Sequence, residues 1–125
     1  MDDLDNIRLF LLLMKQGAAA YGLVLLERTE NLAAITALGI SLQEAKERVL
    51  GLTPMDAMGP VRDGEKPNER KCEFGADVCG SEVYVKVIVE LRPDGTCQSV
   101  AWSFHFPNRP IAYPYRQNRE RQEKP

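Results

Sequence analysis

Apolar residues recur at helical spacing in the first part of the chain and at strand spacing in the last part, and these two periods organise it. Leu4, Ile7, Leu11 and Met14 fall three or four residues apart, which predicts a helix from about Asp3 to Gln16, stopped by Gly17. The segment Tyr21–Arg28 (YGLVLLER) is short, apolar and compatible with extended structure. Its pattern suits an edge strand or an extended linker equally. A second helix is predicted from Thr29 to Gly39, with Leu32, Ile35 and Leu38 on one side. Ser41 and Glu44 have capping-box spacing and open a third helix, whose stripe is Leu42, Ala45, Val49 and Leu50. Gly51 ends it and Pro54 prevents its resumption. Residues Pro54 to Asn68 are rich in Pro and Gly and read as a long loop.

Strict alternation then takes over. Val83, Val85, Val87, Val89 and Leu91 alternate with Tyr84, Lys86, Ile88 and Glu90, so Glu82–Leu91 is the clearest strand in the chain. Lys71–Cys79 precedes it across a turn at Gly80-Ser81, and Thr96–Phe106 follows it across Arg92-Pro93-Asp94-Gly95. The expected fold is α+β: N-terminal helices packed on a C-terminal three-stranded antiparallel β-meander, with Tyr21–Arg28 a candidate fourth strand. Residues 1–116 form one domain in this reading, and the tail 117–125 (QNRERQEKP) reads as disordered.

Pairing the strands so that every core pair is apolar gives one register. Closing the second hairpin at Arg92 and Cys97 places Val85 opposite Phe104, Val87 opposite Trp102 and Val89 opposite Val100. The other face then carries Tyr84 opposite His105 and Lys86 opposite Ser103. A two-residue turn at Gly80-Ser81 adds Asp77 beside Tyr84, Glu73 beside Ile88 and Lys71 beside Glu90. Asp77, Tyr84 and His105 thus form a row across three strands, with Lys86 next to it.

Composition narrows the classes. Of 125 residues, 44% are hydrophobic and 27% charged, which is ordinary for a globular domain. The net charge of −2 argues against a generally basic nucleic-acid-binding surface, although the end of the chain, with Arg109, Arg116, Arg119, Arg121 and Lys124, is locally basic. Cys72, Cys79 and Cys97 are odd in number and lack CxxC spacing, so neither a disulfide framework nor a zinc site is expected, and no other metal site or cofactor motif is found. The apolar run Phe10–Met14 follows acidic residues and falls short of the roughly 20 residues a membrane span needs, so a cytoplasmic protein without a targeting segment is expected.

The polar face carries the candidate chemistry. RNA can be cut without a metal if a base takes the 2′-hydroxyl proton, a cation steadies the phosphorane and an acid protonates the leaving oxygen. His105, Lys86 and Tyr84 match those roles, with Asp77 and Ser103 in support. A solvated sheet face bearing a few polar residues is the plainer alternative. After the last strand, prolines keep residues 106–116 extended, and Arg109, Tyr113, Tyr115 and Arg116 project from an arm suited to stacking on bases and binding phosphates. The same tyrosines could instead pack the chain end over the sheet edge.

Four pieces in order, Gly51-Leu52-Thr53, Glu82–Lys86 (EVYVK), Ser103-Phe104-His105 and Pro110–Arg116 (PIAYPYR), resemble bacterial toxins of the motility quorum-sensing regulator (MqsR) type, within the RelE-like interferase group. The likeness covers roughly the C-terminal two-thirds of the chain. It implies a RelE-like fold and a metal-independent endoribonuclease that cleaves mRNA and is neutralised by a cognate antitoxin, often one with a zinc module and a DNA-binding domain. No direct DNA or membrane partner is implied. Tyr84 matches the family's functional tyrosine, and His105 stands where the best-known relatives place a catalytic lysine. The family's loop lysine falls near Gly59 here, and its first-strand glutamine has no clear counterpart. Those departures, with the acidic net charge, support the competing expectation of a non-enzymatic module that binds an antitoxin-like partner.

Overall fold

The computed structural model describes residues 2–116. The expected tail at 117–125 lies outside the described residues. The elements are α1 (Asp3–Tyr21), β1 (Val24–Leu25), α2 (Thr29–Leu38), α3 (Leu42–Leu50), a 3₁₀ turn (Pro54–Asp56), β2 (Arg62–Asp63), β3 (Glu69–Val78), β4 (Ser81–Leu91) and β5 (Cys97–His105). The fold is α+β, as expected. The sheet, however, has five strands in the order β1-β5-β4-β3-β2 and is mixed. Val24 and Leu25 pair in parallel with Val100 and Ala101, so Tyr21–Arg28 does supply an edge strand, but not an antiparallel one. The loop Pro54–Asn68 contributes the opposite edge, Arg62 and Asp63 pairing with Lys71 and Arg70. No helix among the described residues is long and apolar enough to cross a membrane.

Helix α1 starts where its capping chemistry dictates: the Asp2 carboxylate accepts from the Asp5 N–H at 2.8 Å, and Asp3 and Asp5 complement the helix dipole. It does not stop at Gly17. It continues to Tyr21 and ends at Gly22, whose φ of 80° no branched residue adopts readily. Gly17 instead marks the closest approach of helix to sheet. A Cβ there would sit 2.6 Å from Ser99 Oγ and 2.8 Å from the Cys97 carbonyl oxygen. Ser99 Oγ–H donates to the Met14 carbonyl at 2.7 Å across this contact. Helix α3 begins with the expected capping box, Ser41 and Glu44 bonding reciprocally.

The core lies between the helices and one face of the sheet, where Ile7, Phe10, Met14 and Val49 meet Phe74, Val83, Val85, Val87 and Phe104. Helix α2 turns Asn31 inward, while Leu32, expected in the core, is 40% exposed. The reason is hydrogen bonding. The fully buried Asn31 amide donates to the carbonyls of Leu26 (2.8 Å) and Trp102 (3.1 Å) and accepts from the Phe104 N–H (3.0 Å). No apolar side chain could satisfy those three backbone groups.

Asn31 clamps an irregularity that changes the register. Tyr84 pairs with His105, Val85 with Phe104 and Lys86 with Ser103, as expected. Beyond Lys86 a bulge shifts the pairing, so that Val87 meets Ala101 and Val89 meets Ser99, in place of Trp102 and Val100. Trp102 is the extra residue and is 42% exposed, contrary to the inward position expected for it. The shift places the small side chains Cys97, Ser99 and Ala101 beneath α1, where Gly17 leaves no space for an indole.

The first hairpin also differs. Cys79 (φ 53°) and Gly80 (φ 82°) both take positive φ, as a type I′ turn demands, so the turn is Cys79-Gly80 and not Gly80-Ser81. The pairing moves by two residues: Asp77 lies opposite Glu82, Gly75 opposite Tyr84 and Glu73 opposite Lys86. An even shift preserves which face each residue occupies, so the core composition survives while the neighbours on the polar face change.

Candidate functional site

The outer face of the sheet carries the polar residues in rows across the strands: Gly75, Tyr84 and His105, then Glu73, Lys86 and Ser103, then Lys71, Ile88 and Val100. The arm after β5 crosses the first of these rows. Tyr113 lies on Gly75 so closely that a Cβ there would be 2.2 Å from the phenol oxygen. The Tyr113 hydroxyl donates to Glu82 at 3.0 Å, and the Ile111 N–H donates to the same carboxylate at 2.9 Å. Arg116 packs on the Tyr113 ring at 3.9 Å, donates to the Met55 carbonyl at 2.9 Å and pairs with Asp56 at 2.6 Å. Tyr115 reaches Asp3 at 3.3 Å. Of the four arm residues assigned to RNA, these three are therefore spent on fastening the arm. Arg109 is exposed and stands at the rim of a groove.

That groove, of about 530 Å³, is walled by Pro107–Ala112 of the arm and floored by Tyr84, His105, Glu73 and Met58. Tyr84 and His105 abut within it, their ring centroids 5.3 Å apart and the planes tilted by 43°. His105 Nδ1 lies 3.1 Å from the Phe106 carbonyl oxygen. A carbonyl only accepts, so this contact assigns the hydrogen to Nδ1 and leaves the Nε2 lone pair free in the neutral ring. The Tyr84 hydroxyl donates to the Glu73 carboxylate. Burial first, then that bond and the carboxylate's charge, push the Tyr84 phenol well above its ordinary range, so it stays protonated at neutral pH.

Asp77, expected beside Tyr84, is not part of this cluster. Its carboxylate accepts from the Gly80 N–H at 3.0 Å and serves the turn. Glu73 takes the partner role proposed for Asp77, reaching Tyr84 diagonally from its place opposite Lys86; a turn on Cys79-Gly80 puts Gly75 directly opposite Tyr84. Ser103 is 5% exposed, its hydroxyl 3.4 Å from the Arg28 guanidinium, so it supports β5 from below the surface. Lys86 faces a second groove, of about 310 Å³, with Lys66, Lys71, Ile88 and Trp102. The three proposed catalytic residues thus occupy two adjoining grooves, Tyr84 with His105 in one and Lys86 in the other.

The three thiols are free, with Cys72 and Cys97 buried and Cys79 exposed. Burial pushes the Cys72 thiol up to about 12, so it remains an inert core group. Among the described residues no three His, Cys, Asp or Glu side chains cluster closely enough to hold a metal ion. Comparison of the chain with protein-family models, with curated proteins and with solved structures gives no match.

Proposed function

We propose that the protein is a RelE-like toxin of a toxin–antitoxin pair: a cytoplasmic endoribonuclease that cuts mRNA without a metal and is held in check by a cognate antitoxin. The observation that carries this reading is the pairing of His105 and Tyr84 in one open groove, with His105 bonded through Nδ1 and no partner at Nε2 among the described residues. In the proposed reaction, Nε2 takes the proton from a ribose 2′-hydroxyl. The 2′-oxygen attacks the adjacent phosphorus, and the bond to the 5′-oxygen breaks. Tyr84, protonated at neutral pH, gives its proton to that departing oxygen, and Glu73 beside it holds the phenol in place. Arg109 at the rim supplies positive charge for the phosphorane, a role the sequence alone assigned to Lys86.

The test compares RNA cleavage by the purified protein with that by His105→Ala and Tyr84→Phe. Loss of a general acid or base typically costs about 10²- to 10⁴-fold in rate. Wild-type protein that leaves RNA intact, or variants that cut as fast as wild type, would overturn the mechanism. A second reading, a catalytically inactive module that binds an antitoxin-like partner, is favoured by the position of Lys86 outside the His105 groove. Harmless overexpression together with stable binding to that partner would support it.

A further inference from the structure

The bulge in β5 has placed the chain's single tryptophan on the outer face, 42% exposed, where regular pairing would have buried it. The groove it lines also receives Lys66, Lys71 and Lys86 from three different stretches of chain, with Glu65 and Glu69 at the same rim and Ile88 between them. The Arg28 guanidinium lies 5.9 Å from the indole centroid, and its Nη1 donates to the Trp102 carbonyl at 3.2 Å, so the side chain at the bulge is braced by the chain that follows β1. A half-exposed aromatic ring among lysines is the combination that binds single-stranded nucleic acid, the ring for a base and the cations for the backbone.

We propose that this second groove is a subsite for single-stranded RNA, in which one base stacks on Trp102 and the neighbouring phosphate sits between Lys71 and Lys86. Successive rows of the outer face are about 6.8 Å apart along β4, a little more than the span of one extended nucleotide. A strand running along β4 therefore reaches from the Tyr84–His105 row to the Lys86 row and then to the Lys71–Ile88 row. The subsite rests on the proposed RNA-cleaving reading for its place beside the scissile bond, but binding and cleavage are separable by experiment. It explains why an overall acidic chain keeps three lysines on one patch of one face.

Because Trp102 is the only tryptophan, its fluorescence reports this groove alone. A short 2′-O-methyl RNA, which has no free 2′-hydroxyl and cannot be cut by the proposed route, is titrated into the wild-type protein. Saturable quenching that weakens as salt rises is expected. Lys71→Ala and Lys86→Ala should each bind more weakly. In cleavage of unmodified RNA, Trp102→Leu should raise KM about tenfold or more with little change in kcat, and Trp102→Phe should restore most of the loss. Quenching without cleavage by the wild type would retain the subsite and remove the nuclease. Absence of quenching, or binding unchanged in both lysine variants, would overturn the subsite even if RNA is cut.

Discussion

Replacing Gly75 by alanine tests whether the arm is fastened to the sheet through Tyr113. A Cβ at residue 75 would lie 2.2 Å from the phenol oxygen and 2.7 Å and 2.8 Å from two ring carbons, so the ring must lift away. The strand itself gains slightly, since alanine is better than glycine in a strand by about 0.5–1 kcal/mol. The arm loses the bond from the Tyr113 hydroxyl to the Glu82 carboxylate and the seat of Arg116 on the ring. A hydrogen bond to a charged group is worth about 1.5–3 kcal/mol when buried. Tyr113 is only partly buried, and solvent screening reduces that to about 1 kcal/mol. The cation–π contact adds about 0.5–1 kcal/mol. The arm should therefore open more readily by about 1.5–2 kcal/mol, and the Ile111 amide should exchange with solvent about 10- to 30-fold faster. Amide exchange of Ile111, followed beside that of Val85 in the middle of β4, is the assay. Acceleration at Ile111 with Val85 unchanged is expected. An unchanged Ile111 amide, or equal acceleration at both sites, would refute the argument that Tyr113 holds the arm independently of the core.

The same contact predicts a pH response. Burial first, and then the bond to Glu82 and its charge, raise the Tyr113 phenol from 10.0 to about 12. A group whose proton is held more tightly in the folded state stabilises it fully below the unfolded value and loses that contribution as pH rises through the folded one. The arm should thus stay fastened to about pH 10 and release as pH approaches about 12, with Glu82→Gln moving the phenolate absorbance transition downward. Late-titrating absorbance that is unaltered in Tyr113→Phe would contradict this. Asn31→Ala should cost about 2–4 kcal/mol in urea unfolding, because it strands the Leu26 carbonyl and the Phe104 N–H and leaves the Trp102 carbonyl with Arg28 alone. A loss below about 1 kcal/mol would mean that the bulge is held by something else.

Local chemistry decided much of this molecule. The start of α1 at Asp3, the capping box at Ser41 and Glu44, and the alternating valines of β4 each follow from interactions within a few residues, and each was legible in the chain. Side-chain alternation also fixed which residues of β3 and β4 share the outer face, and the pairing of Tyr84 with His105, beyond the bulge, came out as expected. Three other features were settled only by packing between distant segments. Gly17 looks like a helix stop, but becomes a contact glycine because Cys97 and Ser99 press against it. Trp102 fits an inward position by alternation alone, yet the space under α1 admits only small side chains, and Asn31 from another helix holds the bulge that turns it outward. Glu73 replaced Asp77 as the partner of Tyr84 because the turn moved by one residue onto Cys79-Gly80, which puts Gly75 opposite Tyr84 and leaves Glu73, opposite Lys86, to reach the phenol diagonally. The period of two determines the face a strand residue occupies only while the ladder stays regular, as along β3 and β4; the bulge reversed it in β5 from Trp102 back to Cys97. Which residue stands next to another depends on turns, bulges and the volume between layers, and those are properties of the folded whole.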